Sequence, residues 1–124
     1  MSQIARLRAI PAYQFWYMAT PYSKYEDGIE AAARDAAKGA ARLVMEGVKV
    51  FSPITHFHTI AIHGGLDPMD HKIWMPAEEP FIHLAWGLIV YKLPGWEESY
   101  GIECEISSFR QWARPVEFLI HPMP

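Results

Sequence analysis

The first half of the chain alternates short apolar runs with one long stretch of helical periodicity. The apolar run at residues 14–20, QFWYMAT, is followed by a proline and predicts a buried strand. Apolar residues then recur at helical intervals from Ile29 to Val44, and Gly47 is placed to end that helix. The run at residues 48–52, VKVFS, predicts a second strand. A strand, a crossover helix and a second strand in this order make the two strands parallel.

A capping signal precedes this helix. Ser23 and Glu26 have the spacing of a capping box, in which a hydroxyl and a carboxylate bond the free amides at a helix start. We therefore expect the helix to begin at Ser23, directly after the first strand. Free amides at such a start also favour an anion, so Ser23 is a candidate phosphate contact.

The second half repeats the alternation of strand and helix. GLIVYKL at residues 87–93 and PVEFLI at 115–120 have the apolar character of buried strands, and residues 99–113 between them have helical periodicity. The order of elements predicts an α/β fold. It would be a three-layer, doubly wound parallel sheet of four to five strands with helices on both faces.

The pattern between the two halves, at residues 54–80, is less regular. This segment is predicted to hold short helices around a Gly-Gly-Leu-Asp-Pro turn. Pro76 and Pro80 are expected to interrupt any longer helix, because proline lacks the amide hydrogen that a helix interior uses.

Composition narrows the class of protein. The 124 residues suit a single domain with residues 1–12 as an N-terminal extension. A net charge of −3 argues against a partner that is nucleic acid. The single cysteine, Cys104, excludes a disulfide framework and a thiolate metal cluster. Because we find no signal peptide and no apolar run of membrane-spanning length, we expect a cytoplasmic protein without a membrane partner.

One acidic residue after the third predicted strand falls among apolar positions. On a helical wheel, Glu105 lies inside the stripe formed by Ile102, Ile106 and Phe109, whereas Glu103 lies outside it. A carboxylate in an apolar stripe is costly unless it is satisfied, and burial raises its pKa. Glu105 is therefore either a catalytic candidate or a carboxylate bonded to a backbone amide or a tyrosine.

Doubly wound sheets bind ligands outside the carboxyl ends of their strands. This rule selects three strand ends, at residues 17–23, 52–58 and 93–99, together with the start of the helix that holds Glu105. The unusual polar and aromatic residues of the chain fall at these positions. The sequence therefore predicts a ligand site at this edge of the sheet.

Three motifs at these positions resemble a known family. YMATPYS at 17–23, VFSPITHFH at 50–58 and LPGWEESYGIECEI at 93–106 are similar to the nucleoside 2-deoxyribosyltransferase-like proteins. More narrowly, they resemble an uncharacterised bacterial branch with the motif L-P-G-W-x-x-S-x-G-x-x-x-E. The resemblance extends from residue 17 to about residue 120, and it implies a flavodoxin-like fold.

The resemblance also implies catalytic roles. The superfamily pattern G-x-x-x-E places the nucleophile, which attacks the anomeric carbon of a deoxyribonucleoside, at Glu105. The tyrosine that hydrogen-bonds this nucleophile matches Tyr17, and the acid that handles protons on the base matches Glu78. The adjacent Glu79 is the alternative acid. Relatives usually carry Asp in place of Glu78, and they tend to carry Asp where this chain has Trp86.

The expected reaction is cleavage or transfer of the N-glycosidic bond of a (deoxy)nucleoside or nucleoside monophosphate. A 5′-phosphate would bind the helix start at Ser99. No cofactor is expected, because the chain has no G-x-G-x-x-G fingerprint. The predicted substrate contacts are Pro21, Tyr22, Ser23, Ser52, His56, His58, Trp96, Ser99 and Gly101.

Two rival functions remain open. In an extended backbone His56 and His58 would point the same way, and with nearby acidic and histidine residues they could hold a divalent metal in a hydrolase; these residues are His63, Asp67, Asp70 and His71. The spacing is a weak signal, so no metal site is predicted. The other rival is a non-catalytic nucleotide-binding module on the same fold.

Aromatic richness suggests self-association. Five tryptophans in a small domain predict more apolar surface than a monomer covers, so we expect a homo-oligomer, a dimer or tetramer. The tryptophans expected at the contact are Trp74, Trp86 and Trp112.

Overall fold

The computed structural model describes residues 1–124 as alternating helices and strands. The elements, in chain order, are α1 (Gln3–Arg8), β1 (Trp16–Ala19), α2 (Ile29–Met45), β2 (Val50–Phe51), α3 (Pro53–Gly64), α4 (His71–Leu84), β3 (Gly87–Tyr91), α5 (Tyr100–Gln111) and β4 (Val116–Leu119), with a short 3₁₀ turn at Trp96–Glu98 before α5. No helix has the length and apolar character needed to cross a membrane.

The four strands form one parallel sheet in the order β2-β1-β3-β4. The chain builds β2 on one side of β1, then returns through α3 and α4 to build β3 on the other side. The point where the order reverses therefore lies between β1 and β3. This confirms the predicted α/β, flavodoxin-like, doubly wound sheet with four strands.

The sheet separates two apolar layers. Alternate residues of β1 point to opposite faces, as the pleat of a strand requires: Trp16 and Met18 pack with α1 and α2, whereas Tyr17 and Ala19 pack with α5. Strand β3 divides in the same way between the two layers. Helices therefore cover both faces, and the central strands are buried on both sides.

The expectation that Pro76 and Pro80 break the segment into short helices is wrong. Both prolines lie inside α4, which runs unbroken over 14 residues. Each proline removes one backbone hydrogen bond, but packing compensates for the loss. Trp74 is buried and donates to the Asp67 carbonyl at 2.8 Å, and the Phe81 ring stacks on Phe51 with centroids 4.2 Å apart.

The expected capping box at Ser23 is also absent. Helix α2 begins at Ile29 with Gly28 as its N-cap, and Ser23 is exposed in a turn. Glu26 is exposed in the same segment, and the nearby amides of Tyr25 and Gly28 donate to the carbonyls of Tyr22 and Tyr25 in turns. Gly28 has φ 92°, a conformation that favours glycine.

Residues 1–12, predicted as an extension, pack into the domain. Leu7 of α1 is fully buried in the layer beside α2. The Trp16 indole donates to the Leu7 carbonyl at 2.9 Å, and Gln3 donates to the Phe118 carbonyl at 2.8 Å. Helix α1 thus covers one face of the sheet and satisfies a buried indole of its central strand.

Replacing Gly87 with alanine is expected to destabilise the protein by about 1–3 kcal/mol. A Cβ there would lie 2.6 Å from the Trp16 ring and 2.7 Å from the Pro115 carbonyl oxygen, and the backbone atom cannot move aside. Urea unfolding measures the loss. Gly64→Ala is the matched control, since its Cβ would meet nothing within 4 Å, and an equal loss in both variants would contradict the steric explanation.

Candidate functional site

A cavity of about 650 Å³ opens at the carboxyl ends of β1 and β3. Its walls come from the chain after β1, from the 3₁₀ turn that follows β3, and from helices α3, α4 and α5. This is the edge of the sheet that the strand-end rule selects, at the reversal of strand order. Among the predicted site residues, the ones that line the cavity are Tyr17, Pro21, Tyr22, Ser23, His58, Glu78, Ser99, Gly101 and Glu105.

Glu105 lies on the inward side of α5, as its helical position predicts. It is half-buried and reaches the cavity wall, whereas Glu103 on the same helix is exposed and does not line the cavity. Burial raises the pKa of Glu105 to about 8, with a further contribution from the negative charge of Glu78. The Tyr17 hydroxyl opposes part of this shift. Glu105 is thus a carboxyl group that ionises near physiological pH.

Glu78, carried by α4, lies across the same cavity and interacts electrostatically with Glu105. Burial raises its pKa as well, and the nearby His71 opposes the shift. Neither carboxylate takes part in an ion pair with lysine or arginine. Two half-buried carboxyls that lack a lysine or arginine partner repel each other when both are ionised, so the pair favours retaining one proton.

The Tyr17 hydroxyl is buried and has no hydrogen-bond partner. Burial, followed by the charges of Glu105 and Glu78, raises the pKa of the phenol well above its normal range, so it stays protonated. The hydroxyl is close enough to Glu105 that each shifts the pKa of the other, but no hydrogen bond of normal geometry joins them. The Tyr17 hydroxyl is therefore placed to donate to the Glu105 carboxyl. Catalytic hydrogen bonds are often loose before a substrate binds.

Thr20 is a cavity residue that the sequence analysis missed. Its side chain is 5% exposed, its hydroxyl has no partner, and it lines the cavity. The available signal was its position directly after β1, where a polar residue ends an apolar strand. Tyr17 and Thr20 together present two unsatisfied hydroxyls at the end of one strand, and a buried hydroxyl without a partner is costly.

A hydrogen-bonded chain connects the cavity to the surface. The Tyr22 hydroxyl lies 2.6 Å from His58 Nδ1, and His58 Nε2 lies 3.1 Å from Glu30 Oε1. Because a carboxylate only accepts, His58 Nε2 donates to Glu30, and in the neutral imidazole Nδ1 accepts from Tyr22. His58 is buried and Glu30 is exposed. The chain fixes the Tyr22 ring and leaves its oxygen lone pairs free to accept from a ligand.

The expectation that His56 and His58 point the same way is wrong. Both lie in α3, where positions two apart face nearly opposite directions. His56 is exposed, packs against the rings of Phe51 and Phe57, and does not line the cavity. The signal for the helix was Pro53, which occupies its first position.

Two further predicted contacts, Ser52 and Trp96, also lie outside the cavity. The Ser52 hydroxyl donates to Thr55 Oγ1 at 2.9 Å. The Trp96 ring packs against Phe118, with centroids 5.8 Å apart, on the far side of the 3₁₀ turn. Both side chains therefore hold the local structure of the segments that follow β2 and β3.

The structure does not bring the proposed metal ligands together. No group of three or more histidine, cysteine, aspartate and glutamate side chains has the spacing needed to hold a metal ion. Asp70 instead caps α4 by accepting from the Lys72 amide at 3.1 Å, and Asp67 accepts from the Met69 amide at 2.9 Å. These two carboxylates shape the turn before α4.

Replacing Glu105 with glutamine is expected to stabilise the protein at alkaline pH. Because folding raises the pKa of Glu105 from 4.5 to about 8, its contribution is most favourable below pH 4.5 and is lost as the pH rises through about 8. The carboxyl keeps contact with water in the cavity, so we expect a gain of only about 1–3 kcal/mol at about pH 9. Urea unfolding at about pH 4 and pH 9 measures it.

Glu103→Gln is the control for that prediction, since this carboxylate is on the same helix but exposed. We expect its stability relative to wild type to change little between the two pH values. A Glu105→Gln variant that gains the same stability at both pH values would show that the wild-type carboxyl is not strained by ionisation.

Comparison with known proteins gives a family but no activity. A search of curated proteins finds no match to this chain. A family model described as "Domain of unknown function (DUF1937)" matches residues 14–120, which include all four strands and every predicted site residue. The chain belongs to the DUF1937 family.

Proposed function

We propose that this protein cleaves or transfers the N-glycosidic bond of a (deoxy)nucleoside or nucleoside monophosphate, with Glu105 as the nucleophile. The observation that carries the proposal is the position of the Glu105 carboxyl. It is half-buried, faces a cavity of about 650 Å³, and has a second acid and an unpartnered phenol beside it. The motif resemblance to nucleoside 2-deoxyribosyltransferase-like proteins selects the same three side chains.

In the first step, a Glu105 oxygen forms a bond to the anomeric carbon while the bond from that carbon to the base nitrogen breaks. The electron pair of the broken bond stays on the base, and Glu78 supplies a proton to it. This requires Glu105 to be ionised and Glu78 to be protonated. A pair of carboxyls that shares one proton has this state available, and the Tyr17 hydroxyl stabilises the ionised form of Glu105.

In the second step, water or a second base attacks the anomeric carbon and the Glu105–sugar ester bond breaks. The electron pair returns to Glu105, and Glu78 takes the proton of the attacking group, so both carboxyls regain their initial states. Tyr17 donates to Glu105 as it leaves. The unpartnered Thr20 hydroxyl and the acceptor oxygen of Tyr22 are available to hold the hydroxyls of the sugar.

The presence of Trp86, where relatives tend to carry Asp, does not bear on this chemistry. Trp86 precedes β3, at the amino end of the strand, and its amide donates to the Phe15 carbonyl at 2.9 Å. It does not line the cavity, which lies at the opposite end of the sheet. The substitution of Trp for Asp at this position therefore gives no support to the rival proposal of a non-catalytic binding module.

Self-association remains part of the proposal. Trp74, one of the three tryptophans expected at a contact, is buried within the chain and is not available for one. Trp86 and Trp112 are 38% and 37% exposed and remain available for a contact. Leu84, two residues before Trp86, is 70% exposed. Light scattering after size-exclusion chromatography measures the mass, and a monomer at micromolar concentration would remove the proposed oligomer.

The direct test is release of free base from a panel of nucleosides and nucleoside monophosphates. We expect Glu105→Ala to lower the rate by about a thousandfold or more, because it removes the nucleophile. Tyr17→Phe should lower it about 10- to 100-fold, because it removes one donor to the carboxyl. Glu103→Ala, on the exposed side of α5, should keep the wild-type rate. Release that survives Glu105→Ala would exclude this mechanism.

The pH dependence provides an independent test. The state needed for attack holds one proton between the two carboxyls, and the raised pKa of Glu105, about 8 beside the charge of Glu78, marks the loss of that proton. We therefore expect kcat/KM to fall as the pH rises through about 8. Glu78→Gln removes the proton donor, so it should reduce kcat and abolish this alkaline decline, because Glu105 then ionises without the charge of Glu78 beside it. A wild-type profile that stays flat or rises between about pH 7 and about pH 9 would contradict the assignment.

A further inference from the structure

The charged side chains around the cavity are almost all acidic. Four carboxylates line it, and the only fully basic side chain among the lining residues is Lys24, which is exposed. No arginine lines it. The remaining titratable groups that could carry positive charge are three histidines, His58, His71 and His83. The carboxylates are Glu78, Glu79, Glu98 and Glu105.

Neither of the phosphate positions expected from the sequence is suited to an anion. The Ser99 hydroxyl already accepts from the Ile102 amide at 3.3 Å as the N-cap of α5. Glu98 precedes this cap, and Glu103 lies in the first turn of the helix. Ser23 is in a turn and has no helix start behind it. A 5′-phosphate in this cavity would therefore meet carboxylates without an arginine to pair with.

The cavity instead offers what a cation needs. Glu78 and Glu105 are half-buried and line the same cavity, and a positive charge near both would stabilise the ionised form of each. Aromatic rings of Tyr22, Phe57 and Trp74 form part of the wall, and ring faces attract cations. The buried Thr20 hydroxyl, which has no partner within the chain and belongs to a residue of the cavity wall, offers a polar contact as well.

We propose that the preferred substrate is a nucleoside without a 5′-phosphate whose base carries a permanent positive charge, such as an N-alkylated purine nucleoside or a pyridinium riboside. Cleavage of such a substrate rests on the proposed function, whereas its preferential binding does not. The charge on the base would lie against the Glu78 and Glu105 carboxylates, and the sugar hydroxyls would meet the hydroxyls at the end of β1.

Cleavage of such a substrate needs no acid, because the leaving base does not take up a proton. Glu105 bonds to the anomeric carbon, the carbon–nitrogen bond breaks, and its electron pair neutralises the positive nitrogen, so the base leaves uncharged and no proton is transferred. Water then attacks the anomeric carbon, and Glu78 accepts its proton as the ester to Glu105 breaks. Glu78 can therefore stay ionised in the first step, where its charge stabilises the cationic substrate.

The test compares three probes that differ in charge: nicotinamide riboside, its uncharged 1,4-dihydro form, and nicotinamide mononucleotide, which adds a 5′-phosphate. Calorimetry on wild-type protein at about pH 8 should show the riboside cation binding about tenfold or more tightly than the dihydro form. The mononucleotide should bind about tenfold or more weakly than the riboside. Equal or tighter binding of the dihydro form or the mononucleotide would overturn the proposal.

Variants of the cavity carboxylates test whether they cause the preference for the cation over the dihydro form. Glu78→Gln should reduce the ratio of cation to dihydro affinity about fivefold or more, whereas Glu103→Gln should leave it unchanged. Glu105→Gln removes the other carboxylate and should reduce the same ratio. Circular dichroism establishes that each variant is folded. An unchanged ratio in both Glu78→Gln and Glu105→Gln would overturn the proposed charge recognition.

The outcomes separate this inference from the function on which it rests. Tight binding of the riboside cation without release of nicotinamide would support charge recognition and exclude glycosidic cleavage. Release of base from uncharged nucleosides, together with equal binding of the cation and the dihydro form, would support cleavage and exclude the charge preference.

Discussion

The parallel pairing of β1 with β3 is the constraint on which the candidate site depends. Their register aligns Trp16 with Gly87 and Ala19 with Val90, so β3 extends one residue beyond β1 at the same edge of the sheet. The chain after β1 and the start of α5 after β3 therefore meet at one edge. Tyr17 lies on the face of β1 that packs against α5, and Glu105 projects from that helix into the same layer. A shift of one residue in this pairing would turn Tyr17 to the other face.

The site opposes the stability of the fold that holds it. Glu78 and Glu105 are half-buried and make no ion pair with lysine or arginine, and the Tyr17 and Thr20 hydroxyls are buried without a hydrogen bond of normal geometry. Each of these groups would be better satisfied in the unfolded chain at neutral pH. The rest of the domain supplies the compensation, because β1 and β3 are buried on both faces and contribute to both apolar layers. Unsatisfied polar groups concentrated in one cavity are what a binding or catalytic site is expected to show.

The residues that the sequence predicted well are those whose placement follows from a local period. The stripe of Ile102 and Phe109 defines the buried side of α5, so the position of Glu105 follows from a helical wheel. The burial of Tyr17 follows in the same way from the apolar run of β1. The sequence places His58 at the site but predicts the wrong geometry for it, because it indicates an extended segment where the structure has the helix α3. Its partners, Tyr22 and Glu30, come from elements 36 and 28 residues away, and such tertiary pairings leave no local signal. The unbroken helix through Pro76 and Pro80 likewise depends on packing by Trp74 and Phe81, which outweighs a local propensity.

The N-terminal helix shows that the unit of folding is larger than the unit of sequence similarity. The family match begins at residue 14, yet Leu7 is fully buried, and its carbonyl is the only partner of the Trp16 indole. Residues before position 14 thus fill an apolar socket, formed by the layer that holds Trp16, on the face of the sheet that α2 covers. Variation in this leading segment is restricted by the shape of that socket and by one main-chain acceptor, independently of any catalytic demand. A relative whose chain began at the boundary would need another segment to shield the same tryptophan.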